Sequence, residues 1–211
     1  RPDNRNTATA VAHAVTGNLG LVTAGINAAI ADNDARNLAN IMGSGTLTAT
    51  TRLDLYAYGK ATAEAEINGV SYSAIDIAAS FALAVLRSRQ EAVLSGSHVE
   101  AGGVTAKSYL NSEDASANTA TARLNIGGGE ITVATARVNV AVAYGRSASI
   151  AGVNPHSIAI TGTGKIDVLS DGHANTLAEV KNQTGVSLLA AGLNAAFAYA
   201  QAQFDAYLVI P

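Results

Sequence analysis

The sequence predicts an all-β fold, a repeat β-solenoid with long strands. Three observations predict it: a unit recurs along the chain, one half of each unit alternates polar and apolar residues, and the other half sorts bulky from small residues at period two. An array of long antiparallel β-hairpins is the alternative. A helical reading of the Ala-rich halves is the weakest of the three, because period two sorts side-chain size in every copy and a 3.6 period does not.

The recurrence is clearest between "AGINAAIADNDARNLANI" at Ala24 and "AGLNAAFAYAQAQFDAYL" at Ala191. Weaker copies begin at Ala74 and Ala136. An Ala-x-aliphatic pair closes each, at Ala39/Ile41, Ala92/Leu94, Ala148/Ile150 and Ala206/Leu208, with spacings of 53, 56 and 58. Gly-x-aliphatic starts follow at Gly45, Gly102 and Gly164. The chain therefore reads as one repeat array, 1–211, with repeats at about 1–44, 45–96, 97–152 and 153–211.

The first half of each repeat is a strand with one wet face. From Leu47 to Ile67 the odd positions are mainly Leu, Ala and Ile, and the even ones carry Arg52, Asp54, Tyr56, Tyr58, Lys60, Glu64 and Glu66. The second half carries Ile75, Ile77, Phe81, Leu83 and Val85 on one parity and Ala74, Asp76, Ala78, Ser80 and Ala82 on the other. With no wet face, it predicts a strand covered on both sides. The junctions "TGNLG", "INGV", "IGGGE" and "QTGV" are rich in Gly and Asn and predict sharp reversals, with Asn68-Gly69 as the corner of the second repeat. Asn27, Asp76, Asn139 and Asn194 take the same slot of each copy and predict a polar ladder along the axis.

Composition narrows function. The 211 residues carry a net charge of −3, so no basic face for nucleic acid is expected. Charged residues are 14% of the chain, below the usual quarter or about 25%. There is no Cys, which excludes disulfides and thiolate metal sites. The polar opening "RPDNRNTATA" reads as a processed product or a piece of something longer. The longest uncharged stretch, Leu188 to Phe204, holds Asn194, Gln201 and Gln203 and makes a poor membrane span.

The Gly-x-Leu-x-Ala starts, the "ATAEAEI" and "TATAVAHAV" alternations and "GLVTAGINAAIA" resemble the Ala/Thr-rich repeats of very large bacterial surface adhesins, the filamentous-haemagglutinin-like and leukotoxin-like exported proteins. The resemblance covers nearly the whole chain and is one of repeat texture. It implies a rigid β-rod, secreted or at the bacterial cell surface, that displays binding regions and has no active site.

No catalytic, cofactor-binding or metal-binding set is expected. His13, His98, His156 and His173 share no metal-ligand spacing, and the last three read as loop residues. Asp32, Asp34 and Asp171 lack the Gly-rich nonapeptide of calcium repeats. "IGGGE" lacks the ending of a phosphate loop. Glu64 and Glu66 read as solubilising charges, Glu113 and Asp114 as a loop, and Thr46, Thr48 and Thr50 as ordinary strand formers. Asn182-Gln183-Thr184 has the form of a glycosylation sequon. The residues expected to touch a partner are Arg52, Tyr56, Tyr58 and Lys60, because Tyr and Arg are favoured contact residues.

The expected function is structural and adhesive: a segment of a bacterial surface adhesin or fibre. Its partners would be a host or neighbouring-cell surface, or copies of itself in a homo-oligomer or filament. A self-assembling filament subunit without a receptor and a polysaccharide-acting β-helix enzyme are the alternatives. A pocket with two carboxylates and an Arg or Lys would favour the enzyme.

Overall fold

A computed structural model describes residues 6–114, 116–127, 132–183 and 187–210. The chain is all-β, and no helix occurs among the described residues. Among the described residues eleven strands follow one another: β1 (Asn6–Met42), β2 (Thr46–Ala49), β3 (Leu53–Ser95), β4 (His98–Ala101), β5 (Val104–Leu110), β6 (Ala120–Gly127), β7 (Thr132–Asn154), β8 (Ser157–Ile160), β9 (Ile166–Gly172), β10 (Thr176–Gln183) and β11 (Ser187–Leu208). They lie in four tiers: β1; β2 and β3; β4 to β7; β8 to β11.

Each ladder among the described residues is parallel and joins one tier to the next. β1 lies on β3 with Asn6 opposite Gly59 and Met42 opposite Ser95. β3 in turn carries β5, β6 and β7, on which β9, β10 and β11 lie. The short strands β2, β4 and β8 form a separate three-stranded sheet. Parallel pairing replaces the hairpin array. Among the described residues no ladder joins the two halves of a repeat; each half pairs with its own copy in the next tier.

The long strands double back within each tier. Asn33 Nδ2 donates to the carbonyls of Ala8 and Thr62, at 2.9 and 2.8 Å, and Asn37 Nδ2 donates to the Tyr58 carbonyl at 2.7 Å. Ser149 Oγ reaches Ser108 Oγ at 2.8 Å. The first half of a repeat therefore faces its own second half across the core. The fold-back sits near Ala74, not at the expected corner. The β1–β3 ladder omits only the Leu21/Ala74 position, and the buried parity changes there, from Gly69, Ser71 and Ser73 to Asp76, Ser80 and Ala82.

Asn68-Gly69 is thus not a reversal. β3 passes through it in register, Asn68 opposite Asn125 and Gly69 opposite Ile126. Gly69 is needed for room: a Cβ there would lie 2.9 Å from Thr16 Oγ1 of the tier below. "TGNLG" likewise lies inside β1. Gly128 to Glu130 of "IGGGE" and Thr184 to Val186, which take in most of "QTGV" and the end of the sequon, lie outside the described residues. True left-handed backbone occurs between tiers. Gly96 has φ 76°, and a Cβ on it would meet the Gly43 carbonyl at 2.7 Å.

The core is small-residue packing. Ala61, Ala63, Ala65 and Ile67 of one half meet Ala82, Ala84 and Leu86 of the other, and Ala120, Ala122, Leu124, Ala141 and Ala143 repeat the arrangement one tier on. A second cluster lies under the short sheet, where Leu55, Ala57, Ala92 and Leu94 pack with Val99, Ala101 and Val104. Alanine on both inner faces lets the two layers approach closely, at the cost of less apolar area per residue than Leu or Ile burial supplies.

One expectation about the second half is overturned. In β3 and β7 its small face is buried but its bulky face is open, and β11 is largely exposed on both faces. Ile77 is 53% exposed, Val138 46% and Phe197 60%. The first half of the same repeat covers only one side, and among the described residues nothing lies over the other.

The register also corrects two alignments. Ala39 and Ala92 stack on Ala151, not Ala148, and Ala206 follows. In the polar ladder Asn27 lies on Ser80, which lies on Asn139 and then Asn194. Ser80 takes the slot expected for Asp76, which pairs with Thr23 and Thr135 instead. Asn139 Nδ2 donates to Asn194 Oδ1 at 2.9 Å, and Asn27 Nδ2 reaches Ser80 Oγ at 3.5 Å.

Candidate functional site

The alternating half of β3 places Tyr56, Tyr58 and Lys60 on one outer face, Arg52 lies just before the strand, and the parallel register extends that face over the next tiers. Tyr58 lies opposite Tyr109, and the rings stack at 4.7 Å with 6° between their planes. Tyr56 packs beside Tyr58 at 5.7 Å. Arg52 spans tiers: it pairs with Asp54 of its own tier at 3.3 Å, donates to Thr105 Oγ1 one tier on, and reaches Asp167 at 3.5 Å two tiers on. Lys165, 3.0 Å from Asp167, holds that carboxyl below its ordinary range, and Lys107 and Arg52 act in the same direction. Burial pushes the Tyr109 phenol up, and the neighbouring Tyr58 and Asp171 push the same way.

Tyr58 and Tyr109 form one wall of a groove of about 360 Å³. The third tier makes it. The segment between β5 and β6, which opens with Asn111, bulges out, whereas the second tier passes directly from Gly59 to Ala63. Asn111 has φ 53° and ties the bulge down, accepting from the Ala61 amide at 2.9 Å. Lys60, Asp114, Asn118 and His173 also line the groove. Asp114 accepts from the Ser116 hydroxyl at 2.6 Å and the Ser116 amide at 3.0 Å, which holds its carboxyl below the ordinary range. A carboxylate acceptor, phenol hydroxyls, a lysine and an imidazole suit a polar, hydroxyl-bearing ligand. Asp114 is the wrong carboxyl for a general acid, which needs its proton at the working pH.

The opposite face is apolar. Ile26, Ile77, Val138 and Leu193 border a shallow trough that crosses all four tiers, and Phe81, Phe197, Tyr144 and Tyr199 continue the wall. Tyr144 and Tyr199 stack at 5.1 Å.

The other candidates fall as follows. Arg87 donates to both oxygens of Asp32 at 2.7 Å, and Arg36 pairs with Asp34 at 3.3 Å. Asp171 lies in register with Tyr109. Thr46 and Thr48 lie opposite His98 and Glu100, so the Thr row does not repeat. His98 opens β4 rather than lying in a loop, and its ring lies 5.7 Å from that of His156. His13 faces Glu66 across the β1–β3 ladder, and their side chains and that of Glu64 place ligand atoms within 4.8 Å of one another. Local spacing does not show this cluster. The 53-residue recurrence does, because it carries position 13 onto position 66.

These surfaces define an all-β chain of parallel stacked repeats with a polar face, an apolar face and a groove beside Tyr58 and Tyr109. Comparison with known proteins finds no match: no family model fits the chain, and no curated protein or solved structure is significantly similar to it.

Proposed function

We propose that this chain is a β-solenoid segment of a bacterial surface adhesin or fibre, secreted or displayed at the cell surface, and that it works by presenting long stiff faces rather than by catalysis. The observation that carries this reading is the tier-on-tier register, which stays parallel over nearly all of each repeat. Such stacking makes a quasi-one-dimensional body whose length grows with repeat number while its side faces stay constant. The resemblance in repeat texture points the same way. The polar face with Arg52, Tyr56, Tyr58 and Lys60, and the groove beside it, would meet a host or neighbouring-cell surface. The apolar wall, four tiers high and about eleven residues wide, measures roughly 700 Å². That approaches the ~800 Å² per partner of a standard interface, which favours copies of the chain as its cover.

The test joins shape to binding. Small-angle scattering and electron microscopy of the purified chain should give a rigid particle, and labelled protein should bind cells or their polysaccharides. Substituting Tyr58 and Tyr109 together by Ala should reduce that binding by about tenfold or more if the aromatic face is the contact. A flexible particle that binds neither cells nor itself would sink the proposal.

The groove supports a second reading. It holds Glu113, Asp114 and Lys60, the residue types used by polysaccharide-acting enzymes. Release of reducing ends from polysaccharide, lost on Glu113→Gln, would favour that reading over adhesion.

A further inference from the structure

We infer that His13, Glu64 and Glu66 form a binding site for a divalent first-row metal ion such as Zn²⁺, which staples the first tier to the second. The inference rests on the β1–β3 register and does not depend on the adhesive reading.

The site is built from two adjacent strands. His13 in β1 lies opposite Glu66 in β3, and Glu64 projects from the same face two residues away. His13 Nδ1 lies 3.6 Å from Glu66 Oε2. Two ligands bound to one tetrahedral Zn²⁺ at ordinary lengths are about 3.3 Å apart, so a small side-chain adjustment closes the pair on an ion. Imidazole with two carboxylates is a donor set that zinc and its neighbours accept, with water completing the sphere.

Glu66 is also held for the task. Its Oε1 accepts from Asn68 Nδ2 at 3.0 Å and from Asn125 Nδ2 at 2.9 Å, and Asn125 Nδ2 also reaches Asn68 Oδ1 at 2.9 Å. These amides orient the carboxylate and leave Oε2 toward His13, the part that outer-sphere partners play at metal centres. Among the described residues Glu64 has one competing cation, Arg123, at 3.5 Å. Arg123 has a second carboxylate within reach, Glu179 at 3.9 Å, so it can yield Glu64 without losing a partner. Lys181 already pairs with Glu179 at 2.9 Å. Around this patch the carboxylates of Glu64, Glu66 and Glu179 outnumber the cations Arg123 and Lys181, and a divalent ion would reverse that imbalance.

The consequence is mechanical. β1 is an outermost strand and pairs on one side only. An ion shared by His13 and the two glutamates would add a cross-tier bond to an edge otherwise held by its ladder.

Calorimetric titration of the full chain with Zn²⁺ tests this. One equivalent should bind, and His13→Gln and Glu66→Gln should each weaken it by about tenfold or more. Glu66→Gln keeps an oxygen for Asn68 and Asn125, so it spares the fold, and far-ultraviolet dichroism checks each variant. The double variant His98→Gln/His156→Gln removes the other adjacent histidines and should leave binding unchanged. Hydrogen exchange at Ala12 and Ala14 should slow on adding Zn²⁺ in the parent chain and not in His13→Gln. The proposal is overturned by an absence of binding, by binding that survives His13→Gln, by binding that disappears with the His98/His156 pair, or by binding that leaves exchange in β1 untouched.

Discussion

Arg137 reaches from the third tier to close on Asp76 in the second. Its Nε–H donates to Asp76 Oδ2 at 2.6 Å, while the Thr23 hydroxyl of the first tier donates to Oδ1 at 2.9 Å. Asp76 is 1% exposed, so three tiers meet at one buried carboxylate beside the fold-back. Removing one member of a buried pair strands the other charge. Arg137→Ala should therefore destabilise the chain by about 3–5 kcal/mol in urea unfolding. Asp76→Ala/Arg137→Met should cost much less, because no charge is then left unpaired. Equal losses in the single and double variants would show that the pair is not the cause.

Gly59 gives space to its opposite layer. A Cβ at this position would run into the Gln90 carboxamide. Gly59→Ala should cost about 1–3 kcal/mol, the usual range for overpacking. Gln90→Ala should recover most of that loss in a double-mutant cycle. Failure to recover it would place the strain elsewhere.

The two faces of the second half should respond oppositely to substitution. Ala84 and Ala143 are fully buried on the small face, and Ala84→Leu should destabilise by about 1–3 kcal/mol. Phe197→Asp on the open face should change stability by roughly 0.5 kcal/mol or less and should reduce self-association in sedimentation velocity. If Phe197→Asp unfolds the chain instead, the bulky face is the buried one.

The Tyr109 phenol sets an alkaline limit. Its value is raised above the ordinary 10.0, chiefly by burial. Below that pH the group is protonated in the folded and unfolded chain alike. Above it the unfolded chain ionises first, so stability falls as pH rises through the folded value. Tyr109→Phe should flatten the high-pH limb of a stability profile and remove one tyrosine with a raised value from an ultraviolet titration. An unchanged limb would show that Tyr109 does not govern it.

Much of the strand content was legible, and much of the orientation was not. The alternation from Leu47 to Ile67 announces a half-buried strand because each side chain's environment depends on its own polarity. Period two in the second half separates Ile77 and Phe81 from Ala82 and Ala84, but parity alone does not say which set turns inward. The opposing layer decides that, and its own inner face is also alanine. Asn68-Gly69 looks like a turn because the same residues serve turns and tight packing, and only Thr16 of the adjacent tier distinguishes the two. Asp76 and Ser80 compete for one ladder slot four residues apart, too small a shift for weak repeats to resolve. In the groove, Tyr58 and Lys60 were legible from alternation. His173 and Asp114 were not, because their approach depends on how far the segment between β5 and β6 bulges.

The outer edges of β1 and β11 are unlike each other. Since each ladder runs in the same sense, one edge of the stack can only receive what the other offers. Copies joined through these edges would keep a single heading, with a front and a back, and would extend as an open thread rather than close into a ring.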